Sequence, residues 1–143
     1  MLLTLDASVV CKWYLDPSVE PAWDQARAVG MALDEGQAEL IQPPHWLAEV
    51  VAVVTRVAPV SSPRVIEDLW LISAPVLESP GVYRRAARIA IATGAHLFDT
   101  LYHAVALETA GCTLVTADER YWKAARSYGR IALLSDWKGA IRG

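Results

Sequence analysis

At 143 residues the chain matches about one domain on a prior of roughly 150 residues each, enough to bury a core without disulfides or a structural metal. Hydrophobic residues at 54%, charged residues at 20% and a mean hydropathy of +0.25 exclude a disordered, collagen-like or polar-linker chain. The formal net charge of −3 and pI near 5.5 exclude a global positive field, so a phosphate-bearing substrate has to be held locally.

Leu2-Leu3-Thr4-Leu5 is short and apolar and predicts a buried strand, after which Asp6-Ala7-Ser8 offers capping side chains to a helix over 9–15. Asp16-Pro17 breaks it. Pro21 opens a helix to about residue 35, with Trp23, Ala26, Val29 and Leu33 at helical spacing and Gly36 at its end. A strand over 39–42 follows, then Pro43-Pro44 and an apolar helix over 45–57. Ser61-Ser62-Pro63 starts a helix over 64–73, Pro75 stops it, and 76–78 reads as a short strand. Helices over 82–93 and 98–110 end at Gly94 and Gly111. Residues 112–115 form a buried strand, Asp118 caps a helix to about residue 128, and 131–134 is the last strand.

Short apolar strands alternating with helices predict a parallel sheet covered on both faces, a three-layer α/β/α domain spanning 1–143 without internal repeats or linkers. Ligands of such sheets collect at the carboxyl ends of the strands. Asp6 directly follows the first strand, and Asp118 follows 112–115 within Leu114-Val115-Thr116-Ala117-Asp118. Taken singly, each also reads as a helix N-cap, worth about 1 kcal/mol. Glu49 is a charge inside the apolar run Trp46-Leu47-Ala48-Glu49-Val50-Val51, where it needs a partner or a cation. Asp99 opens Phe98-Asp99-Thr100-Leu101-Tyr102-His103, where the alternative role is helix-dipole stabilisation of about 0.3–1 kcal/mol. Carboxylates that converge bind a cation or take up protons, and an oxygen-only set favours Mg2+ or Mn2+ over zinc.

These four segments, in this order across 2–134, resemble the PIN-domain nucleases, and most closely the VapC-type ribonuclease toxins of toxin–antitoxin pairs. The resemblance is carried by Asp6-Ala7-Ser8-Val9-Val10-Cys11-Lys12-Trp13, Pro44-His45-Trp46-Leu47-Ala48-Glu49-Val50, Phe98-Asp99-Thr100-Leu101-Tyr102-His103-Ala104 and Leu114-Val115-Thr116-Ala117-Asp118. It implies an acidic pocket of Asp6, Glu49, Asp99 and Asp118. In that pocket Asp6, Asp99 and Asp118 ligate Mg2+ or Mn2+, Glu49 orients or deprotonates the attacking water, and Thr116 and Ser8 support them. It further implies cleavage of single-stranded RNA to a 5′-phosphate and a 3′-hydroxyl, a homodimer and a cognate antitoxin that blocks the site. Phe98 stands where the family often has tyrosine, and 58–80 matches only loosely.

Lys12 and the Arg84, Arg85 and Arg88 cluster are candidates for RNA phosphates, as are Arg120, Lys123, Arg126 and Arg130, against the alternative of solvated helix faces. Asp99 and His103 stand at i, i+4, where His103 is a metal ligand or simply a hydrogen-bonded histidine. Cys11 and Cys112 form no Cys-x-x-Cys pair and read as small core residues in a reducing compartment. The apolar start lacks a basic n-region, and no uncharged run nears the roughly 18 residues of a membrane span, so a cytoplasmic protein without membrane partners is expected. Two other readings compete: a catalytically silent PIN-fold RNA-binding or regulatory module, and a non-toxin PIN nuclease. A phosphatase is disfavoured because Asp6-Ala7-Ser8 lacks the second carboxylate of Asp-x-Asp. Nucleotide-hydrolase, dinucleotide, zinc-protease and serine-hydrolase motifs are missing.

Overall fold

The computed structural model describes residues 1–139. Strand β1 (Leu2–Leu5) leads into a single helical turn, α1 (Ala7–Val10), which tightens into a 3-10 turn over Cys11–Tyr14. The expected 9–15 helix thus starts two residues earlier, splits into an α turn and a 3-10 turn, and ends where Leu15 turns extended ahead of Asp16-Pro17. Helix α2 (Trp23–Asp34) starts two residues later than expected, since Ala22 takes a left-handed conformation with φ of 55°. Gly30 lets the Trp13 ring lie against α2: a Cβ there would meet Trp13 Nε1 at 3.3 Å, and that nitrogen donates to the Ala26 carbonyl at 2.7 Å.

Strand β2 (Glu39–Leu40) is followed by α3 (Trp46–Val57), α4 (Ser62–Ile72), α5 (Pro80–Thr93), α6 (Leu97–Glu108), β3 (Cys112–Thr116), α7 (Glu119–Ala125) and β4 (Ile131–Leu133). The four strands are all parallel in the order β2-β1-β3-β4, giving the central sheet of a three-layer α/β/α fold. From the centre, β1 crosses to β2 through α2, and β3 crosses to β4 in the opposite direction through α7. Right-handed crossovers therefore put α2 and α7 on opposite faces. Helix α6 packs on β1 and β3, and α5 on α6, where the buried Thr100 hydroxyl donates to the Ala86 carbonyl at 2.9 Å. The strand order reverses between β1 and β3, which opens a crevice at their carboxyl ends.

The 76–78 strand does not form. Only a bridge joins Val76 to Gln42, because Pro43 and Pro44, next after Gln42, have no N–H with which to carry the ladder on. Gln42, fully buried, instead finishes the sheet edge with its side chain. Its Oε1 accepts from Leu5 N and its Nε2 donates to Leu5 O, both at 2.9 Å, so a carboxamide replaces a strand at the end of β1. Cys11 and Cys112 are both buried and unpaired, and burial and the nearby Asp6 and Glu49 charges push the Cys11 thiol up to about 12. Among the described residues no helix is long and apolar enough to cross a membrane.

Replacing Gln42 with alanine leaves the Leu5 amide and carbonyl without these partners, and unmet buried groups cost about 1–3 kcal/mol each. Urea unfolding of Gln42→Ala is expected to show a loss of about 2–4 kcal/mol. A loss within experimental scatter would mean that water or backbone takes over the role.

Candidate active site

The β1–β3 ladder runs up to the first acidic residue, since the Asp6 amide still donates to the Val115 carbonyl at 3.1 Å. Asp6 stands at the N-cap position of α1, yet its side chain caps nothing. Two hydroxyls converge on one of its oxygens, Oδ2: Ser8 Oγ donates at 2.5 Å and Thr116 Oγ1 at 3.0 Å. Each hydroxyl also accepts a backbone amide, Ser8 from Ala117 at 3.0 Å and Thr116 from Asp118 at 3.1 Å. Their hydrogens are thereby directed to Asp6, whose Oδ1 has no protein donor among the described residues. Ser8 and Thr116 thus sit where the sequence reading put them, beside the carboxylate.

Glu49, in the first turn of α3, and Asp99, in the first turn of α6, come to the same place. Asp6, Glu49 and Asp99 each offer an oxygen within 4.8 Å of the others. Ionised together, each pair at that separation repels by roughly 3.5 kcal/mol at an effective dielectric near 20. Among the described residues no lysine or arginine pairs with any of the three; the nearest cationic candidate is His45, whose Nε2 lies 3.4 Å from Glu49 Oε2. The cost is visible in proton affinity. Burial, opposed by the two hydroxyls and reinforced by the Asp99 and Glu49 charges, pushes Asp6 up to about 6. Burial and the Glu49 and Asp118 charges also raise Asp99.

The donor set is oxygen-only and anionic, which suits a hard divalent cation. Its three oxygens all lie within 4.8 Å of one another, close enough for the three side chains to share one such ion. The Tyr102 hydroxyl is fully buried without a hydrogen-bond partner, and burial and the Glu49, Asp6 and Asp99 charges oppose its ionisation.

Asp118, expected as a ligand directly or through water, stands at the margin of this group. It lines the same cleft and its charge reaches Asp99, but its Oδ1 caps α7, accepting from Tyr121 N at 2.9 Å, and it stands outside the three-oxygen group. Glu49, read from sequence as the residue that orients water, takes the third place in that group. The helix-capping reading therefore holds for one Asp118 oxygen and fails for Asp6, because only Asp6 has two hydroxyls holding its carboxylate away from the helix amides.

The basic candidates scatter. Lys12 is buried in the cleft wall with its Nζ 2.8 Å from Glu20 Oε1, and it is neither a surface lysine nor a free phosphate ligand. Arg85 pairs with Glu108 at the last residue of α6, about 13 Å along the helix from Asp99, which removes it from the acidic cleft. Arg84 and Arg88 are exposed on α5. Lys123 pairs with Glu119, Arg126 lies over the Trp122 ring, and Arg130 donates to the Thr109 carbonyl. His103 is a satisfied core histidine: Nε2 donates to the Gly129 carbonyl at 2.8 Å, Nδ1 accepts from the Tyr121 hydroxyl at 2.9 Å, and burial holds its pKa low.

Sequence reasoning missed His45 and Tyr102. His45 Nε2 reaches both the Phe98 carbonyl, at 2.9 Å, and Glu49, tying α3 to α6 next to Asp99. The i, i+4 spacing of His45 and Glu49 was the available signal. The acidic cleft has a volume of about 460 Å3, and a larger cavity of about 960 Å3 lies between α2 and α4, lined by residues such as Trp13, Trp23 and Leu71 and by none of the four acidic residues.

Among comparisons with known proteins, the family model described as PIN domain matches residues 3–127. No curated protein matches the chain.

Asp6 has a raised folded-state pKa, so its ionisation destabilises the metal-free protein as pH rises from 3.8 through about 6. In chelator, urea unfolding is expected to show Asp6→Asn more stable than the parent by up to about 3 kcal/mol at pH 7.5, the difference vanishing near pH 4. Taking the difference between the two proteins removes the opposite contribution of His103. A difference independent of pH would refute the assignment.

Proposed function

The chain belongs to the PIN-domain family of metal-dependent nucleases, and from that premise we propose that it is an Mg2+- or Mn2+-dependent endoribonuclease that cuts single-stranded RNA as the toxin of a toxin–antitoxin pair. The observation that carries the chemistry is the group of Asp6, Glu49 and Asp99 oxygens within 4.8 Å, unneutralised by lysine or arginine, at the carboxyl ends of β1 and β3. The choice of RNA rests on the resemblance of the four acidic segments to VapC-type toxins.

When bound, the divalent ion supplies Lewis-acid polarisation of the phosphodiester and lowers the pKa of water. Asp6 and Asp99 hold it, with Asp6 oriented by Ser8 and Thr116. Glu49, a quarter exposed and steadied by His45, accepts the proton of the attacking water. Oxygen from that water bonds to phosphorus, the bond to the 3′ oxygen breaks, and that oxygen takes up a proton, leaving a 5′-phosphate and a 3′-hydroxyl. Asp118 keeps one oxygen for the cleft while the other caps α7. Lys12, the only basic residue lining the cleft among the described residues, neutralises phosphate charge once it exchanges Glu20 for substrate.

Support for protein partners, a second copy and an antitoxin, comes from α4, where Trp70 and Leu71 are 73% and 80% exposed beside the 960 Å3 cavity. Two buried unpaired cysteines accord with action in a reducing cytoplasm.

The test is incubation of the purified protein with a pool of single-stranded and structured RNA, with and without Mg2+ or Mn2+, beside Asp99→Asn, followed by sequencing of 5′ ends. Metal-dependent cuts reduced by about 100-fold or more in the variant are expected. Equal cutting by both proteins would sink the assigned chemistry, and RNA bound but never cut by a metal-loaded protein would make it a silent binding module.

A further inference from the structure

Phe98 is the only phenylalanine in the chain, and it is half exposed on the residue just before Asp99. It joins neither hydrophobic cluster of the molecule. Its ring contacts two imidazoles instead: His45 at a centroid distance of 5.0 Å and 32° tilt, and His96 at 4.8 Å and 65°. Its backbone is pinned on both sides, since Phe98 N donates to His96 Nδ1 at 3.1 Å and Phe98 O accepts from His45 Nε2 at 2.9 Å. His45 in turn packs against the buried Tyr102, with ring centroids 4.8 Å apart and a 60° tilt. The result is an aromatic ledge, half exposed, with its backbone held by two histidines, on the residue next to Asp99.

Burying a phenylalanine side chain is favourable, and the core-facing positions of α6 are filled by Leu101, Tyr102 and Val105. An exposed ring held this firmly is suited to a flat, uncharged ligand surface. Protein cations provide little of the grip on a nucleic acid here, because the cleft's one lysine is paired with Glu20, and a bound divalent ion would engage only the phosphate at the cut. Stacking can add to it, since every nucleobase has a π-face and base–aromatic stacking adds substantially to single-strand binding. Resting on the ribonuclease reading above, we propose that Phe98, backed by His45 and His96, is a base-stacking platform that seats an unpaired nucleobase of single-stranded RNA next to the phosphate to be cut. A base inside a duplex already has both faces stacked, so the platform favours single strands.

Two measurements test it. In Mg2+-dependent cleavage of single-stranded RNA, Phe98→Ala is expected to raise KM by about 10- to 100-fold, with kcat changed less than about threefold. Phe98→Tyr is expected to keep the parental KM, while Phe98→Leu, of similar bulk without a π-face, does not restore it. In fluorescence anisotropy with labelled single-stranded RNA, adding Phe98→Ala to Asp99→Asn is expected to weaken binding by the same factor and to leave duplex binding unchanged. Thermal unfolding of each variant checks that it is folded. If the parent cuts RNA and Phe98→Ala alters neither KM nor single-strand affinity, the platform is overturned while the nuclease reading stands. If nothing is cut but the Phe98 effect on binding persists, the platform stands and the nuclease reading falls. Equal weakening of single strands and duplex, rescue by leucine, loss only of association with a protein partner, or no RNA binding by Asp99→Asn also overturns it.

Discussion

One carboxylate oxygen receiving two hydroxyl hydrogen bonds sets the terms for the rest of this molecule. Ser8 and Thr116 hold Asp6 Oδ2 and are themselves oriented by the Ala117 and Asp118 amides, so a negative charge is fastened to the end of the central strand with its other oxygen turned to the cleft. Without these bonds Asp6 would be free to cap α1, and its charge would be spent on helix amides. With them, its charge meets those of Glu49 and Asp99, and the three need a cation or protons. Burial first, and the Asp99 and Glu49 charges after it, raise the affinity of Asp6 for a proton, and the same uncompensated oxygens form a set that could hold a divalent ion.

The scaffold is arranged to hold that geometry rigid. Gln42 takes the place of a missing strand beside Leu5, one residue before Asp6, so the end of β1 is hydrogen-bonded on both sides. Thr100 ties the first turn of α6 to α5, and His45 ties it to α3, which positions Asp99 against Glu49 from two directions. The cleft is poor in cations for its size, and Lys12 is neutralised by Glu20. On the ribonuclease reading proposed above, affinity for a polyanion would come from a bound ion and from aromatic surface, the second being the proposed role of the exposed Phe98 ring.

Much of the fold could be read from local chemistry. The strands 2–5 and 112–115, the helices that follow prolines, and the glycines at helix ends obey rules that operate over a few residues, and the structure places elements there. The errors lie where a distant neighbour decides. Residues 76–78 have strand composition but only Gln42 to pair with, and the 9–15 helix tightens into a 3-10 turn before Asp16-Pro17. His103 has the spacing of a ligand to Asp99, and the Gly129 carbonyl and Tyr121 hydroxyl occupy both of its nitrogens.

The sequence by itself determined the order of strands and helices, the parallel sheet that order requires, and the aspartates that follow the strands, because each depends on backbone preferences within a turn or two. The tertiary structure alone decided which carboxylates share one cleft. Glu49 joins Asp6 and Asp99 while Asp118 caps α7, and Arg85 lies at the far end of α6 from the site. The meeting of Asp6, Glu49 and Asp99 depends on distances between residues about 40 to 90 positions apart, and those distances are set by how α3 and α6 pack on the sheet, which no local pattern encodes.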